Sequence, residues 1–224
     1  MPERATAVLL SAGLDSAVLA ASEARAARVH PIYVSAGLAW EGAELRALDR
    51  LLAAPPYAGR LAPLARLAFT VEDLYPATHW ALRGEAPAFD TPDEDVYLAG
   101  RNVVLLSKAA IYCAQQGIPR VALGPLAGNP FPDATPEFFQ AMARALSLGL
   151  AHGLEVAAPF AEKTKADVVR LGVALGVPLA LTLSCMSPKG ERHCGACSKC
   201  RERRDAFREA GADDPTSYAT PPQR

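Results

Sequence analysis

The chain has 224 residues, 50% hydrophobic and 21% charged, with a formal net charge of −1. That balance fits a globular protein with one substantial core, or a core and a small appendage, and argues against a broadly basic nucleic-acid surface. No apolar run is long enough to cross a bilayer, and "MPERATAVLL" lacks the apolar stretch and cleavage site of a signal peptide, so a cytoplasmic location with no membrane partner is expected.

Residues 6–10, "TAVLL", read as a fully buried strand. The small and polar cluster "SAGLDS" then interrupts the apolar run. From Ser16 to Arg28, the residues Val18, Leu19, Ala20 and Ala24 return at helical spacing, and "VHPIYV" at 29–34 reads as a second strand. Strand, loop, helix and strand within about thirty residues is the length of a βαβ unit, which favours a parallel sheet. Ala43 to Ala53 forms an amphipathic helix stopped by Pro55 and Pro56.

"LARLAFTV" at 64–71 predicts a strand, and residues 72–100, rich in Pro, acidic and aromatic residues, predict a long functional loop. A helix from Asn102 to Gln116, a strand at 120–124, a loop at 125–133 and a helix from Pro136 to Ala151 follow. A strand at 155–160 and a helix at 164–176 complete the alternation. The class is α/β, an open and mostly parallel sheet flanked by helices. The residues after Gly211 read as a frayed end.

In such a sheet, ligands bind beyond the carboxyl ends of the strands, where "SAGLDS" lies. Unpaired N–H groups and the dipole at a helix start attract anions. Gly13 permits unusual backbone angles and close approach of a ligand. Ser11 and Ser16 can donate hydroxyl hydrogen bonds to phosphate oxygens. Asp15 would repel a bare phosphate, so it suits a helix cap or a bound Mg²⁺. The alternative is an ordinary turn capped by Asp15. Neither GxxxxGK[ST] nor GxGxxG is present, which disfavours γ-phosphoryl transfer and nicotinamide cofactors.

Near the carboxyl terminus, "SCMSPKGERHCGACSKC" spaces Cys185, Cys194, Cys197 and Cys200 as C-x8-C-x2-C-x2-C. Tight turns there aim thiolates at one tetrahedral metal. Lys189, Arg192, Lys199 and Arg201 offset part of the thiolate charge. An Fe–S cluster also takes four cysteines, but four nearby thiols with no spare position favour structural Zn²⁺. His193 then reads as a polar neighbour of the site, and the solitary Cys113 as a small buried hydrophobe. The expected organisation is an α/β domain over 1–183 with a zinc-binding knuckle and helix over 184–211 packed on it.

The loop resembles the SGGxDS pyrophosphate loop of the N-type ATP pyrophosphatases (the PP-loop, adenine nucleotide alpha-hydrolase-like fold), with Ala12 in place of a glycine. An alanine there is expected to keep φ negative. "GRNVVLLSKAA" (100–110), "FPDATPEFFQA" (131–141) and "KTKADVVRLGVALGVPLALTLSC" (163–185) add three more segments in order. With the cysteine spacing, the chain from Val8 to about Phe207 resembles the 7-cyano-7-deazaguanine synthase (QueC/ExsB) family.

The resemblance implies an ATP-dependent carbon–nitrogen ligase converting 7-carboxy-7-deazaguanine and ammonia to the 7-cyano base through an acyl-adenylate. It implies ATP binding by Leu10, Ser11, Ala12, Gly13, Leu14, Asp15 and Ser16, with Asp15 toward Mg²⁺. Lys165 (or Lys163) would contact the α-phosphate, and Arg101 would neutralise phosphate charge. Asn102 would orient a base, and Asp133 would read a guanine-like ring edge, unless it is a turn residue. Zn²⁺ is the structural metal and a homodimer the implied assembly. The chain departs from the family pattern at Trp40, Ala134 and Leu183, around the expected acceptor site. A paralogue acting on another carboxylate, a tRNA sulfur transferase and a non-catalytic scaffold therefore stay open beside the first reading.

Overall fold

The computed structural model describes residues 4–220. Five parallel strands form one sheet in the order β3-β2-β1-β4-β5. They are β1 (Ala5–Leu9), β2 (Arg28–Ser35), β3 (Ala65–Ala68), β4 (Arg120–Ala122) and β5 (Glu155–Ala157). β1 is central, pairing with β2 over Ala5–Leu9 and with β4 over Ala7–Val8. Its middle residues are buried because both sheet faces are covered, which is why "TAVLL" reads as a continuous apolar run.

Side chains alternate between two cores with the period of a strand. Val8, Val29, Tyr33 and Ala122 face one; Ala7, Ile32, Val34 and Val121 face the other. The first face is covered by α1 (Leu14–Glu23), α2 (Glu41–Ala53), α6 (Lys165–Ala174) and α7 (Ser198–Ala210). The second is covered by α4 (Arg101–Gln116) and α5 (Pro136–Leu150). The stretch 72–100 holds a one-turn helix, α3 (Trp80–Arg83), and a 3-10 turn at Asp93–Val96. Its Ala81, Val96 and Leu98, with Val71 just before it, pack with Ala36, Leu38, Trp40 and Met186 in a third cluster at the sheet's carboxyl edge.

Two expectations change. α1 ends at Glu23, five residues before Arg28, and the chain turns directly into β2. The residues after Gly211 are not frayed through Thr220. His193 N–H donates to Ser217 O at 3.0 Å, Ala219 N–H to His193 O at 2.7 Å and Thr220 N–H to Cys194 O at 3.0 Å, so this segment straps the cysteine knuckle. Arg204 also lies 4.1 Å from the centre of the Tyr218 ring.

The charged helix α7 is itself anchored by a buried arginine. Arg203 is fully buried and donates to Leu179 O at 2.8 Å, Thr182 Oγ1 at 2.8 Å and Thr216 Oγ1 at 2.6 Å. These acceptors satisfy a guanidinium that burial alone would disfavour.

α1 and α6 meet so closely that Gly172 has no room for a side chain. A Cβ there would stand 2.8 Å from Val18 Cγ2 and 3.1 Å from Leu179 Cδ2. Gly172→Val is expected to lower stability by about 1–3 kcal/mol through overpacking, seen as a lower urea midpoint at unchanged slope. An unchanged midpoint would mean that the two helices separate at little cost.

Candidate active site

A cleft of about 540 Å³ opens at the carboxyl edge of the sheet, where the first crossover begins. One wall is the β1–α1 turn. Its geometry reverses the expected roles of two residues. Ala12, not Gly13, takes the left-handed conformation, at φ 61°, so the expected negative φ is not found. Alanine is the smallest side chain that carries a Cβ, and it is fully buried in the core, while its carbonyl accepts Leu183 N–H at 2.9 Å. This packing offsets a left-handed cost of about 1–2 kcal/mol.

Gly13 has ordinary angles, φ −59° and ψ 151°. What it supplies is space, since a Cβ would stand 3.3 Å from Ser11 Oγ and 3.7 Å from Ser16 Oγ. The Ser16 hydroxyl braces the turn, donating to Gly13 O at 3.0 Å and accepting Ser11 N–H at 3.4 Å. The N–H groups of Gly13, Leu14, Asp15 and Ser16 meet no protein acceptor among the described residues. Leu10, Ser11, Gly13, Leu14, Asp15 and Ser16 line the cleft, whereas Ala12 lies behind it. Asp15 sits in the first turn of α1, whose N-cap is Gly13 without a side-chain bond, so it is not the cap.

Opposite this turn stands the start of α6. Thr164 and Asp167 close a capping box, with Asp167 N–H donating to Thr164 Oγ1 at 3.1 Å and Thr164 N–H to Asp167 Oδ2 at 3.0 Å. That box fixes Lys165 at the first helical position. Its Nζ lies 2.5 Å from Asp15 Oδ2 and 3.0 Å from Glu202 Oε1. Glu202 Oε2 in turn accepts from Lys199 Nζ at 2.7 Å. Burial opposes the charge on Lys165, but the two flanking carboxylates outweigh it and raise its pKa. Burial pushes Glu202 upward, and the Lys165 and Lys199 ammoniums outweigh that and hold it at about 2. Asp15 Oδ1 is buried without a partner. Lys163 does not line the cleft.

The far end of the cleft is framed by α4 and by aromatic pairs. Asn102 N–H donates to Asp133 Oδ2 at 3.0 Å, and Asn102 Nδ2 donates to Asp133 O at 2.9 Å. Asp133 therefore satisfies the first turn of α4 from the following loop. Arg101 lines the cleft with its Nε buried and unpartnered. Trp40 and Trp80 stack with centroids 5.8 Å apart, and Tyr97 and Phe131 at 5.1 Å.

Sequence reasoning did not single out Glu41, Glu44, Tyr33 or Glu202. Glu41 Oε1 accepts Ala36 N–H at 2.7 Å, and Tyr33 OH donates to Glu44 Oε2 at 3.0 Å. The signal was present for Glu44, which shares a helix stripe with Ala47, Leu48 and Leu51, all buried. Burial pushes Glu44 from 4.5 to about 7, against the pull of Arg101 and the Tyr33 hydroxyl. Glu202 had a weaker signal, its i,i+3 spacing from Lys199.

Behind the Lys165 network lie Cys185, Cys194, Cys197 and Cys200, all buried, with their sulfurs within 4.8 Å of one another. Three Sγ–Sγ distances are 3.5, 3.8 and 3.9 Å. A tetrahedron with metal–sulfur bonds of about 2.3 Å has edges of about 3.8 Å, so the group can hold a metal such as zinc. Backbone N–H groups of Ser187 and Cys194 donate to Cys185 Sγ at 3.3 and 3.2 Å, which suits a thiolate. His193 stays outside the group, accepting Ser184 N–H on Nε2 at 3.0 Å. Cys113 is fully buried away from the cleft, and burial pushes its thiol up to about 12. Among the described residues no cysteine outside the cluster is exposed for sulfur transfer.

The chain is thus an α/β protein with a parallel sheet, free amides at the start of α1 and a facing lysine at the sheet's carboxyl edge. The family described as Queuosine biosynthesis protein QueC matches residues 5–211, and the chain belongs to it. It is 36% identical to the 7-cyano-7-deazaguanine synthase of Anaeromyxobacter dehalogenans, covering 96% of each chain. It is 36% identical to that of Methanothrix thermoacetophila, over 94% of this chain and 96% of the relative. For Methanopyrus kandleri the figures are 34%, 95% and 98%. Among solved structures, a 4-thiouridine synthetase–RNA complex with bound ATP aligns at TM-score 0.49 and 15% identity, over 93% of this chain and 51% of that chain. No helix among the described residues is long and apolar enough to cross a membrane.

Glu44 makes a pH-dependent prediction. From about pH 4.5 to about pH 7 the folded protein keeps a proton that the unfolded chain releases. Its contribution to stability is therefore full below the unfolded value and lost as pH rises through about 7. Glu44→Gln stays neutral throughout, so its stability relative to wild type should rise by on the order of 3 kcal/mol across that window. Urea titrations at about pH 4.5 and about pH 8 check this; parallel changes in the two proteins would show that Glu44 ionises normally.

Proposed function

We propose that the chain uses ATP to convert 7-carboxy-7-deazaguanine and ammonia to 7-cyano-7-deazaguanine. The observation that carries this reading is the facing pair in the cleft: free amides at the start of α1 on one side, the Lys165 ammonium on the other. The relatives named 7-cyano-7-deazaguanine synthase support the identity of the product, and the corresponding 7-carboxy acid is the acceptor in this reading.

A carboxylate resists attack by an amine because its oxygen is a poor leaving group. Transfer of AMP from ATP to that oxygen forms a mixed anhydride and releases pyrophosphate. The amides of Gly13 to Ser16 hold the departing pyrophosphate, aided by the helix dipole. Lys165 has three N–H donors, two of them directed at Asp15 and Glu202, and the third is available to the α-phosphate as negative charge builds there. Asp15 Oδ1 is an oxygen of the kind Mg²⁺ takes, and Mg²⁺ bound with ATP would offset phosphate charge.

Ammonia then displaces AMP, forming the carbon–nitrogen bond and leaving the amide after loss of a proton. Transfer of a second AMP to the amide oxygen makes it a leaving group. Loss of AMP and of the remaining N–H protons gives the nitrile. Arg101, Asn102 and Asp133 lie where the acceptor enters, and Trp40, Trp80, Tyr97 and Phe131 offer apolar faces to a flat ring.

ATP–pyrophosphate exchange dependent on 7-carboxy-7-deazaguanine tests the reading. Exchange should require the acid, and Lys165→Met should lower it by about 10²–10³-fold by removing a charge aimed at the transferring phosphoryl group. Absence of acid-dependent exchange in the wild-type protein would overturn it.

A further inference from the structure

The helix that completes the thiol cluster also reaches into the cleft. α7 carries Cys200, and Cys197 is its N-cap. Glu202 follows Cys200 by two residues and lies 3.0 Å from Lys165, which lies 2.5 Å from Asp15 on the β1–α1 turn. Three polar side chains thus link the metal ligands to the anion-binding turn. Lys199, on the same helical turn, lies 2.7 Å from Glu202 and 3.6 Å from Asp93.

The two ends of α7 are held differently. Its body is anchored by Arg203, through Leu179, Thr182 and Thr216, and by Phe207 in the core. Its first turn has no side-chain cap bond. It is fixed at the cysteine cluster, by Ser198 N–H donating to Pro87 O at 3.3 Å and by Arg201 donating to Phe89 O at 2.8 Å and Thr91 O at 3.2 Å. The cysteine cluster thus joins the first turn, which carries Lys199 and Glu202, to Cys185 and Cys194 outside the helix, whereas the body has its own anchors in the core.

We propose that Glu202 is a positioning residue that makes metal retention and nucleotide binding mutually reinforcing. With metal bound, Glu202 shares the Lys165 ammonium with Asp15 and leaves one of its N–H donors toward the cleft. With phosphates in the cleft, Lys165 is pinned, Glu202 with it, and the first turn of α7 closes more firmly on the metal. Coupling of this kind is reciprocal by linkage. The inference rests on the reading that ATP occupies the cleft, and it assigns the metal centre a second role beside folding the knuckle.

The test follows zinc release from the holo-protein into a colorimetric chelator, with and without magnesium and α,β-methylene-ATP, which cannot be split. Nucleotide should slow release at least about fivefold, and in calorimetry nucleotide should bind the metal-depleted protein at least about fivefold more weakly than the holo-protein. Glu202→Gln should keep four-cysteine metal binding but lose the effect of nucleotide on release. Lys165→Met breaks the same link from the other side and should lose it too, which serves if the Gln variant cannot retain metal. Nucleotide that binds the holo-protein yet leaves release unchanged overturns the coupling alone, as does a Glu202→Gln variant with the full effect. A holo-protein that binds no nucleotide overturns the ATP reading and the coupling with it.

Discussion

The ammonium of Lys165 lies between the carboxylates of Asp15 and Glu202, and each group comes from a different helix start or helix turn. α1 supplies the turn with free amides, α6 the cation and α7 the second carboxylate. An isolated positive charge in this partly buried place would be costly, and so would either carboxylate. Together they fix the distance between the turn and the opposing helix, and hence the width of the cleft. Removing one member leaves an uncompensated charge, which costs more than the pair itself contributes. The capping box at Thr164 and the tight α1–α6 contact at Gly172 position this triad from outside it.

The cysteine knuckle extends the same logic. Its sulfurs are spaced for one tetrahedral metal, and the segment 212–220 straps it from outside. On the inner side, Ser198 and Arg201 hold the stretch 87–91, with Arg201 donating to Phe89 O at 2.8 Å. That stretch leads to Asp93, Val96 and Tyr97 in the cleft wall. Both ends of the cleft are thus built against the cysteine-bearing segment.

Much of this was legible in the sequence where the signal is local. The strand–turn–helix beginning at residue 6 and the C-x8-C-x2-C-x2-C spacing are short-range patterns; the structure puts the turn at the cleft and gathers the four sulfurs. The family's own motifs pointed to Lys165 and Asn102, and the structure brings both to the cleft. What stayed hidden depends on distant partners. Asp15 and Lys165 are 150 residues apart in sequence, so their pairing has no local pattern. Arg203 looked like one more cation on a charged helix, because its acceptors Leu179 and Thr182 lie in another segment. The inversion at Ala12 and Gly13 was hidden because composition shows which residue tolerates a left-handed angle, not which one the turn requires. Glu44 was legible but unread, as a carboxylate on an apolar stripe.

The account stands on the β1–α1 turn and Lys165 gripping a nucleotide from opposite sides. A crystal structure with magnesium and α,β-methylene-ATP tests it most directly. The β- and γ-phosphates should accept the amides of Gly13 to Ser16, with Lys165 Nζ within hydrogen-bond distance of the α-phosphate. A nucleotide bound elsewhere, or one in the cleft with Lys165 still directed only at Asp15 and Glu202, would contradict the account.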